Sequence, residues 1–509
     1  MNRTGRNRRL VVSWLILSLA LGSAAAAPKR STARSTSRPE PVTLEPSEFV
    51  EKAQALLTQR AYQSIQWGVC VVRLDTGETV FGYNADELLI PASNRKLFVS
   101  ALALHHLGPD YRFRTGLYLS GAPADSQAFA GNLVVRGSGD PTFLNLRFGN
   151  SAYSIFRRWA EALKSRGIHA IEGDIVMDSS GFAPATRVAE GWIKDYETAQ
   201  YAPRASAICY EGNCISIAIR PANTPGNAPI VSTIPDTDFI AIDNHAETGP
   251  SRTRDSLAVQ RADDGADHLV VSGRIANTAG TQQLRVPVEQ PGLIAGEALL
   301  AALKRSGIEV RGKVRALTAD TAASTTGLVP VAEHVSPPLS EILSVMNKKS
   351  DNHIAEQIYQ AVTFARTGST SYLQAKRFEE SFLAQVGILP NMANFEDGCG
   401  LSRLNLVSPR AVVRLLTFME KHPHFQTYYD TLPIAGRDGT LRGRLGGAIN
   451  RIHAKTGALS MASSLSGYAE TRSGVRVAFS ILVNNCGRRL SSARYVQDRI
   501  GEWLVDTRF

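Results

Sequence analysis

The chain has 509 residues, of which 43% are apolar and 20% are charged, so it is globular in composition and too long for one ordinary core. Its formal charge of +10 lies mostly at the start, because residues 1–39 hold eight basic side chains and no acidic one. That segment accounts for +8 and leaves +2 for the remainder, so nucleic acid is not an expected partner.

The first 46 residues predict an export signal and a leader. An arginine-rich start is followed by the apolar run from Leu10 to Gly22 and by small residues up to Ala27. This is the order of parts in a secretory signal peptide, which we predict at 1–27, with an uncleaved anchor helix as the alternative. Residues 28–46 are rich in Ser, Thr, Arg and Pro and predict a flexible leader.

The two ends of the remaining chain predict the strands and helices of one sheet. The N-terminal elements are a helix over Ser47 to Leu57, a hairpin of strands Trp67 to Leu74 and Thr79 to Tyr83, and a helix beginning near Pro91. The C-terminal elements are strands Ser463 to Glu470 and Val475 to Asn484 and an amphipathic helix containing Val496, Ile500, Trp503 and Leu504.

The middle of the chain has short alternating runs that are typical of small β-rich domains. Predicted strands are 132–136, 169–177, 269–275 and 309–317, and predicted helices are 152–166 and 296–306. We therefore predict a domain formed by 47–108 and 335–509, interrupted by an insertion at 109–334. The insertion is expected to hold two small domains, one of them nested at about 213–290, and no catalytic group.

Patterns that would indicate a cofactor or a disulfide scaffold are weak. The sequence has no HExxH, CxxC pair, Walker loop or GxGxxG, so neither a metal nor another cofactor is expected. Cys209 and Cys214 flank a turn-like tetrapeptide, and both a bridge across a hairpin and unpaired burial remain open.

Three short motifs carry the candidate chemistry. Ser93 and Lys96 lie three residues apart near a predicted helix start, where they share a face and a lysine of lowered pKa can activate the hydroxyl. Ser350-Asp351-Asn352 offers a hydroxyl for proton relay and an amide. Lys455-Thr456-Gly457 precedes the C-terminal strands, where a cation and a hydroxyl can bind a carboxylate beside a glycine.

Each motif alone also has a structural explanation: a helix N-cap with a solvated lysine, a polar helix start, which would be favoured for Ser350-Asp351-Asn352 alone, and a turn at a strand end. A given tripeptide arises by chance in about one chain in ten of this size. Their conjunction in the order SxxK, SxN, KTG is far more specific, since it is the signature of serine β-lactamases and penicillin-binding proteins.

With these motifs the sequence resembles the D-alanyl-D-alanine carboxypeptidase/endopeptidases of the low-molecular-mass class C penicillin-binding proteins. Those proteins have a long insertion after SxxK, and here 257 positions separate Ser93 from Ser350. Further similar stretches are 91–109, 131–141, 347–352 and 435–441, and the resemblance covers about residue 50 to the C-terminus. It implies an α/β (α+β) transpeptidase-like domain, with an antiparallel sheet flanked by helices and inserted smaller β-rich domains.

The resemblance also implies roles for the motif residues. Ser93 would be the nucleophile, Lys96 its base and Ser350 the proton relay, while the backbone N–H groups of Ser93 and Ala458 would form the oxyanion hole. The substrate would be bound by Asn352, Lys455, Thr456 and Gly457. In the similar segment 396–402, Cys399 stands where serine is usual, which either weakens a hydrogen bond at the site or is a neutral change in a glycine turn.

The expected activity is serine-type D-Ala-D-Ala carboxypeptidase, with endopeptidase activity in addition. Its partners would be peptidoglycan stem peptides ending in D-Ala-D-Ala and β-lactam antibiotics, and its compartment the periplasm. Peripheral contact with the membrane or cell wall remains open. The alternatives are a β-lactamase-type hydrolase, disfavoured by the large insertion, and a non-catalytic wall-binding protein, disfavoured by the intact Ser93, Lys96 and Lys455.

Overall fold

The computed structural model describes residues 43–121, 128–180, 189–263, 267–317, 327–487 and 489–509. The predicted signal peptide, 1–27, and all of the predicted leader before residue 43 lie outside the described residues. None of the helices in the described ranges is both long and apolar enough to cross a membrane.

The elements follow one another along the chain in three groups. The first comprises α1 (Pro46–Leu57), β1 (Gln66–Arg73), β2 (Thr79–Tyr83) and α2 (Arg95–Leu107). The second comprises β3 (Arg114–Ser120), β4 (Ala128–Phe129), β5 (Asn132–Arg136), α3 (Ala152–Lys164), β6 (Ala170–Ile171), β7 (Ile175–Asp178), β8 (Cys214–Arg220), β9 (Ile230–Ile234), β10 (Ala241–Gly249), β11 (Ala258–Arg261), β12 (His268–Ala276), β13 (Gln282–Pro287), α4 (Pro291–Arg305), β14 (Glu309–Val310), β15 (Val314–Ala316) and β16 (Val329–Val335). The third comprises α5 (Leu339–Lys349), α6 (Asn352–Thr367), α7 (Tyr372–Val386), β17 (Ala393–Asn394), β18 (Leu406–Val407), α8 (Pro409–Glu420), α9 (Phe425–Thr431), β19 (Ile452–Leu459), β20 (Ala462–Glu470), β21 (Arg476–Asn484) and α10 (Leu490–Asp506).

A five-stranded antiparallel sheet joins the two ends of the chain, as the sequence predicted. Its strand order is β19-β20-β21-β1-β2, so the N-terminal hairpin pairs through β1 with the C-terminal β21. One face of the sheet packs on α1 and α10, and the other on the helices around α2 and α8. Helix α2 lies deep between the other helices and the sheet, because all ten residues from Arg95 to Leu104 are buried. The sheet and helices have the α/β fold class that the resemblance implied.

The second group of elements forms its own sheets around a separate apolar core. The largest has the order β15-β7-β5-β3-β16, and three-stranded sheets are formed by β14-β6-β4, β13-β8-β9 and β10-β12-β11. Because β16 pairs with β3 and places Val335 opposite Arg114, the part of the chain from β3 to β16 begins and ends at neighbouring points.

Several local predictions were wrong in detail. The strands predicted at 169–177 and 309–317 are each split in two, and the helix predicted at 296–306 begins at Pro291. In the first of these strands the split is at Gly173, where a Cβ would lie 2.6 Å from the Gly131 carbonyl oxygen. The helix predicted near Pro91 starts as a 3-10 turn, Ala92–Asn94, and becomes α-helical at Arg95. Ser93 therefore precedes the α-helix.

The turn between Cys209 and Cys214 does not join two strands of a hairpin, since only β8 begins there. Both thiols are free and buried. Each lies 3.7 Å from a backbone oxygen, that of Ser206 for Cys209 and that of Gln200 for Cys214. Of the two readings that the sequence left open, the structure supports unpaired burial.

Candidate active site

The three motifs meet at one edge of the five-stranded sheet. Ser93 lies in the 3-10 turn before α2, Ser350 at the end of α5, and Lys455 on β19, the edge strand. Lys96 Nζ is 3.0 Å from Ser93 Oγ and 2.7 Å from Asn352 Oδ1. Lys455 Nζ is 2.8 Å from Ser350 Oγ. Residues that are hundreds of positions apart in the chain thus come together as a cluster of polar side chains, made of two hydrogen-bonded groups around Lys96 and Lys455.

Close packing holds the turn that carries Ser93 against β19. The Asn94 side-chain amide donates to the Lys455 carbonyl at 2.7 Å, and Ser464 Oγ donates to the Pro91 carbonyl at 2.6 Å. At Gly457 a Cβ would lie 2.9 Å from the Ser93 nitrogen, closer than side chains approach, so this position requires glycine. This contact holds the backbone N–H of Ser93 beside β19. Ala458 directly follows Gly457 on that strand.

Lys96 has the surroundings of a lysine that can act as a base. Its side chain is fully buried, and burial lowers the pKa of its amine below the ordinary value. Its three neighbours are Ser93 Oγ, Asn352 Oδ1 and, at 2.6 Å, the carbonyl of Cys399. A neutral amine has two N–H donors and one lone pair, so it can donate to the two carbonyls and accept from the hydroxyl.

Lys455 is the second buried lysine of the cluster. Burial and, secondarily, the like charge of Lys96 hold the pKa of Lys455 well below its usual range. Its Nζ donates to Ser350 Oγ and, at 2.7 Å, to the Thr456 carbonyl. The hydroxyl of Thr456 points away from the core and lies 2.7 Å from that of Thr440.

Two residues from the middle of the chain, Arg147 and Tyr201, hold the Ser350-Asp351-Asn352 turn in place. Ser350 adopts a left-handed conformation with φ of 57°, and Asp351 caps α6 by accepting from Ile354 N. Arg147 pairs with the Asp351 carboxylate. The Asn352 Nδ2 donates to the Tyr201 carbonyl at 2.8 Å, which orients the amide so that its oxygen faces Lys96.

The segment around Cys399 contributes a backbone group rather than a side chain. The Cys399 carbonyl accepts a hydrogen bond from Lys96, whereas the Cys399 thiol is buried 3.7 Å from Asp397 Oδ2. Burial and the nearby Asp397 and Glu356 carboxyls hold the pKa of this thiol well above its usual range. The exchange of serine for cysteine therefore changes a buried contact with Asp397 and not a group that faces Ser93.

Two buried carboxyls that the sequence analysis did not single out hold this segment in place. Glu356 Oε1 accepts from Gly398 N at 2.8 Å and from Cys399 N at 2.7 Å. Asp397 accepts from Gly400 N and Ser402 N, at 2.7 and 2.6 Å. Burial, with the neighbouring Asp397, raises the pKa of Glu356 to about 7. The position of Glu356 one helical turn after Asn352 could be read from the sequence, but the burial of its side chain could not.

Glu356, Asp397 and Cys399 also bring three ligand-type atoms within 4.8 Å, which is metal-site spacing. Their bonding argues against that use. The two Asp397 oxygens also accept from Asn405 Nδ2 and Trp192 Nε1, and Glu356 Oε2 accepts from the Tyr372 hydroxyl. Because these lone pairs are directed at N–H and O–H donors, the cluster is suited to holding a loop rather than a cation.

A cleft of about 980 Å³ lies in the second group of elements. It is lined by residues such as Trp192, Arg204, Arg261, Asp263 and Glu289. None of the predicted site residues lines it. We therefore place the candidate chemistry at the motif cluster, on the basis of its hydrogen bonds.

The sequence is similar to those of known D-Ala-D-Ala carboxypeptidases. Residues 50–506 match the D-Ala-D-Ala carboxypeptidase 3 (S13) family. A D-alanyl-D-alanine carboxypeptidase of Actinomadura sp. (strain R39) is 31% identical over 474 residues, 90% of this chain and 85% of that protein. D-alanyl-D-alanine carboxypeptidase DacB of Haemophilus influenzae is 29% identical over 434 residues, 84% of this chain and 87% of that protein.

The fold is likewise similar to solved structures. The crystal structure of penicillin binding protein 4 (dacB) from Haemophilus influenzae has a TM-score of 0.75 and 26% identity, covering 90% of this chain and 99% of that one. A second structure of the same protein, complexed with a β-lactam, has a TM-score of 0.71 and 26% identity, covering 89% and 98%.

Proposed function

The chain belongs to the D-Ala-D-Ala carboxypeptidase 3 (S13) family and is a serine D-alanyl-D-alanine carboxypeptidase, and we propose that it works through an acyl-enzyme on Ser93. One observation carries the proposal: the Lys96 amine lies 3.0 Å from Ser93 Oγ and 2.7 Å from Asn352 Oδ1. A nucleophile, a base and a group that orients the base are thereby in hydrogen-bond contact.

In the acylation step, neutral Lys96 takes the hydroxyl proton of Ser93. The Ser93 oxygen attacks the carbonyl carbon of the penultimate D-alanine. The negative charge that develops on the carbonyl oxygen is stabilised by the backbone N–H groups of Ser93 and Ala458, where one such donor is worth about 10²–10³ in rate. The C–N bond to the last D-alanine then breaks, and the proton that Lys96 took from Ser93 is relayed through Ser350 to the leaving amine, which leaves Lys96 neutral and Ser350 protonated.

Binding of the substrate uses the other motif residues. Thr456 and Lys455 bind the C-terminal carboxylate, and Asn352 binds the amide on the acyl side. Gly457 allows the substrate backbone to lie along the edge of β19, as a strand added to the sheet. Water then attacks the Ser93 ester, releases the shortened peptide and returns the proton to the serine oxygen.

The physiological substrates in this proposal are peptidoglycan stem peptides that end in D-Ala-D-Ala. Cleavage of their cross-links, an endopeptidase activity, uses the same acyl-enzyme with a larger leaving amine. β-Lactams acylate Ser93 in the same way and leave slowly. The Haemophilus influenzae relative that was crystallised with a β-lactam supports this part of the proposal.

We also propose that the chain is exported to the periplasm after removal of residues 1–27, and that 109–334 is an insertion in a domain formed by 47–108 and 335–509. The pairing of β3 with β16 supports the second point. The first is tested by the N-terminal sequence of the mature protein: a protein that begins at Met1 would contradict it.

The activity itself is tested by D-alanine release from a small peptide ending in D-Ala-D-Ala. Wild type should release one D-alanine per peptide, and Ser93→Ala should release none. Ser473→Ala, in the turn before β21, is the matched control and should keep wild-type activity. Undiminished release by Ser93→Ala would contradict the assignment of the nucleophile.

A further inference from the structure

A loop from Pro433 to Leu441 runs along the free edge of β19. Ala454 N donates to the Pro433 carbonyl at 3.0 Å, and Ala435 N donates to the Ile452 carbonyl at 2.9 Å. β19 is the edge strand of its sheet, and its pairing with the loop ends at Ala454. The edge from Lys455 onward is where the proposed function places the substrate.

Thr440 lies where this pairing stops. Its hydroxyl oxygen is 2.7 Å from that of Thr456, and its side chain is exposed. The loop that carries it is held firmly, because Asp438 accepts from Ile434 N at 2.9 Å and from Lys348 Nζ at 2.6 Å. An exposed hydroxyl is thus kept in a defined position beside the KTG motif.

The KTG motif itself supplies only one hydroxyl for a substrate carboxylate, that of Thr456. A carboxylate presents two acceptor oxygens, whereas one threonine hydroxyl has a single proton. Two of the three N–H donors of Lys455 are directed at Ser350 Oγ and the Thr456 carbonyl, so at most one remains for the carboxylate. Ala458, which follows on the same face of β19, has only a methyl group to offer.

We propose that Thr440 is a specificity-determining residue whose hydroxyl, together with that of Thr456, binds the free carboxylate at the C-terminus of the substrate. The inference rests on the proposed function, in which Thr456 and Lys455 bind that group. Each hydroxyl directs its proton to one carboxylate oxygen, and hydrogen bonds to a charged acceptor are the stronger kind. An enzyme with this pair of hydroxyls discriminates a free acid from the corresponding amide.

The test compares two peptides that differ only in their C-terminus, one ending in D-alanyl-D-alanine and the other in its carboxamide. The kcat/KM of Thr440→Val for the acid should fall about tenfold, and for the amide it should stay within about twofold of wild type. Thr440→Ser keeps the hydroxyl and should behave as wild type. Thr79→Val, an exposed threonine at the opposite edge of the sheet, is the matched control.

If Thr440→Val retains the wild-type ratio of acid to amide kcat/KM, the inference is overturned while the proposed function stands. Equal losses for acid and amide would also overturn it, because they indicate a merely structural contact with Thr456. If wild type hydrolyses neither peptide, the proposed function fails and the inference falls with it.

Discussion

The Lys96 amine lies 2.7 Å from the side-chain oxygen of Asn352, a residue 256 positions further along the chain. The amide of Asn352 cannot turn freely, because its nitrogen donates to the Tyr201 carbonyl, a group that only accepts. A backbone carbonyl from the middle of the chain therefore determines which atom of Asn352 faces the base. The segment 109–334 takes part in arranging the site, although it supplies none of the groups assigned to bond making.

Asn352→Asp should slow acylation by a β-lactam about tenfold or more at neutral pH. The new carboxylate lies next to Lys96, where an opposite charge favours the protonated amine and raises its pKa. It also places an acceptor against the Tyr201 carbonyl. The rising limb of the pH profile for acylation should move to higher pH. Asn223→Asp adds the same charge at an exposed position and should leave the profile unchanged.

The rate of acylation should rise with pH between about 5 and 9 in the wild-type enzyme, because only neutral Lys96 accepts a proton. Burial lowers the pKa of Lys96, so the limb should lie below the ordinary lysine value of about 10.4. Lys96→Arg should be inactive throughout this range, since a guanidinium stays protonated. Stopped-flow acylation by a chromogenic cephalosporin measures both, and a flat wild-type profile would exclude a lysine base.

The position of Lys96 relative to Ser93 could be predicted from the sequence, because i,i+3 spacing near a helix start puts two side chains on one face. The convergence with Ser350 and Lys455 could be expected only from the family resemblance. Tyr201 could not be found, since it acts through its carbonyl and any residue offers that group. Glu356 was missed because a single glutamate in a helix pattern gives no sign that its side chain is fully buried.

Glu356→Gln should keep activity within a few-fold, whereas Glu356→Ala should lower kcat about tenfold. Glutamine keeps an oxygen for the N–H groups of Gly398 and Cys399, and alanine leaves both unsatisfied, at about 1–3 kcal/mol each.

Because the folded pKa of Glu356 is raised to about 7, the wild-type carboxyl destabilises the fold as pH rises from about 4.5 through 7. Glu356→Gln should therefore raise Tm at pH 8 more than at pH 5. An equal change at both values would contradict the raised pKa.

Acid should destabilise the protein through the half-buried His106. Burial lowers the pKa of His106 to about 4, with a smaller contribution from His105 and Arg366. In the unfolded chain the His106 imidazole binds a proton below about pH 6.5, and in the folded chain only near pH 4. The free energy of unfolding therefore has its full His106 contribution above pH 6.5 and declines as the pH falls from 6.5 to 4. His106→Phe, which places an apolar ring beside Phe378 and Phe382, should make Tm less dependent on pH in that interval. The exposed His169→Gln is the control, and an unchanged slope in His106→Phe would contradict the assignment.

Mass spectrometry of the protein after incubation with benzylpenicillin shows directly whether Ser93 forms the acyl-enzyme. We expect the intact protein to gain the mass of one penicillin, on the peptide that contains Ser93. Ser93→Ala should gain none, while its Tm stays close to that of wild type. An adduct on any other residue, or full labelling of Ser93→Ala, would contradict this expectation.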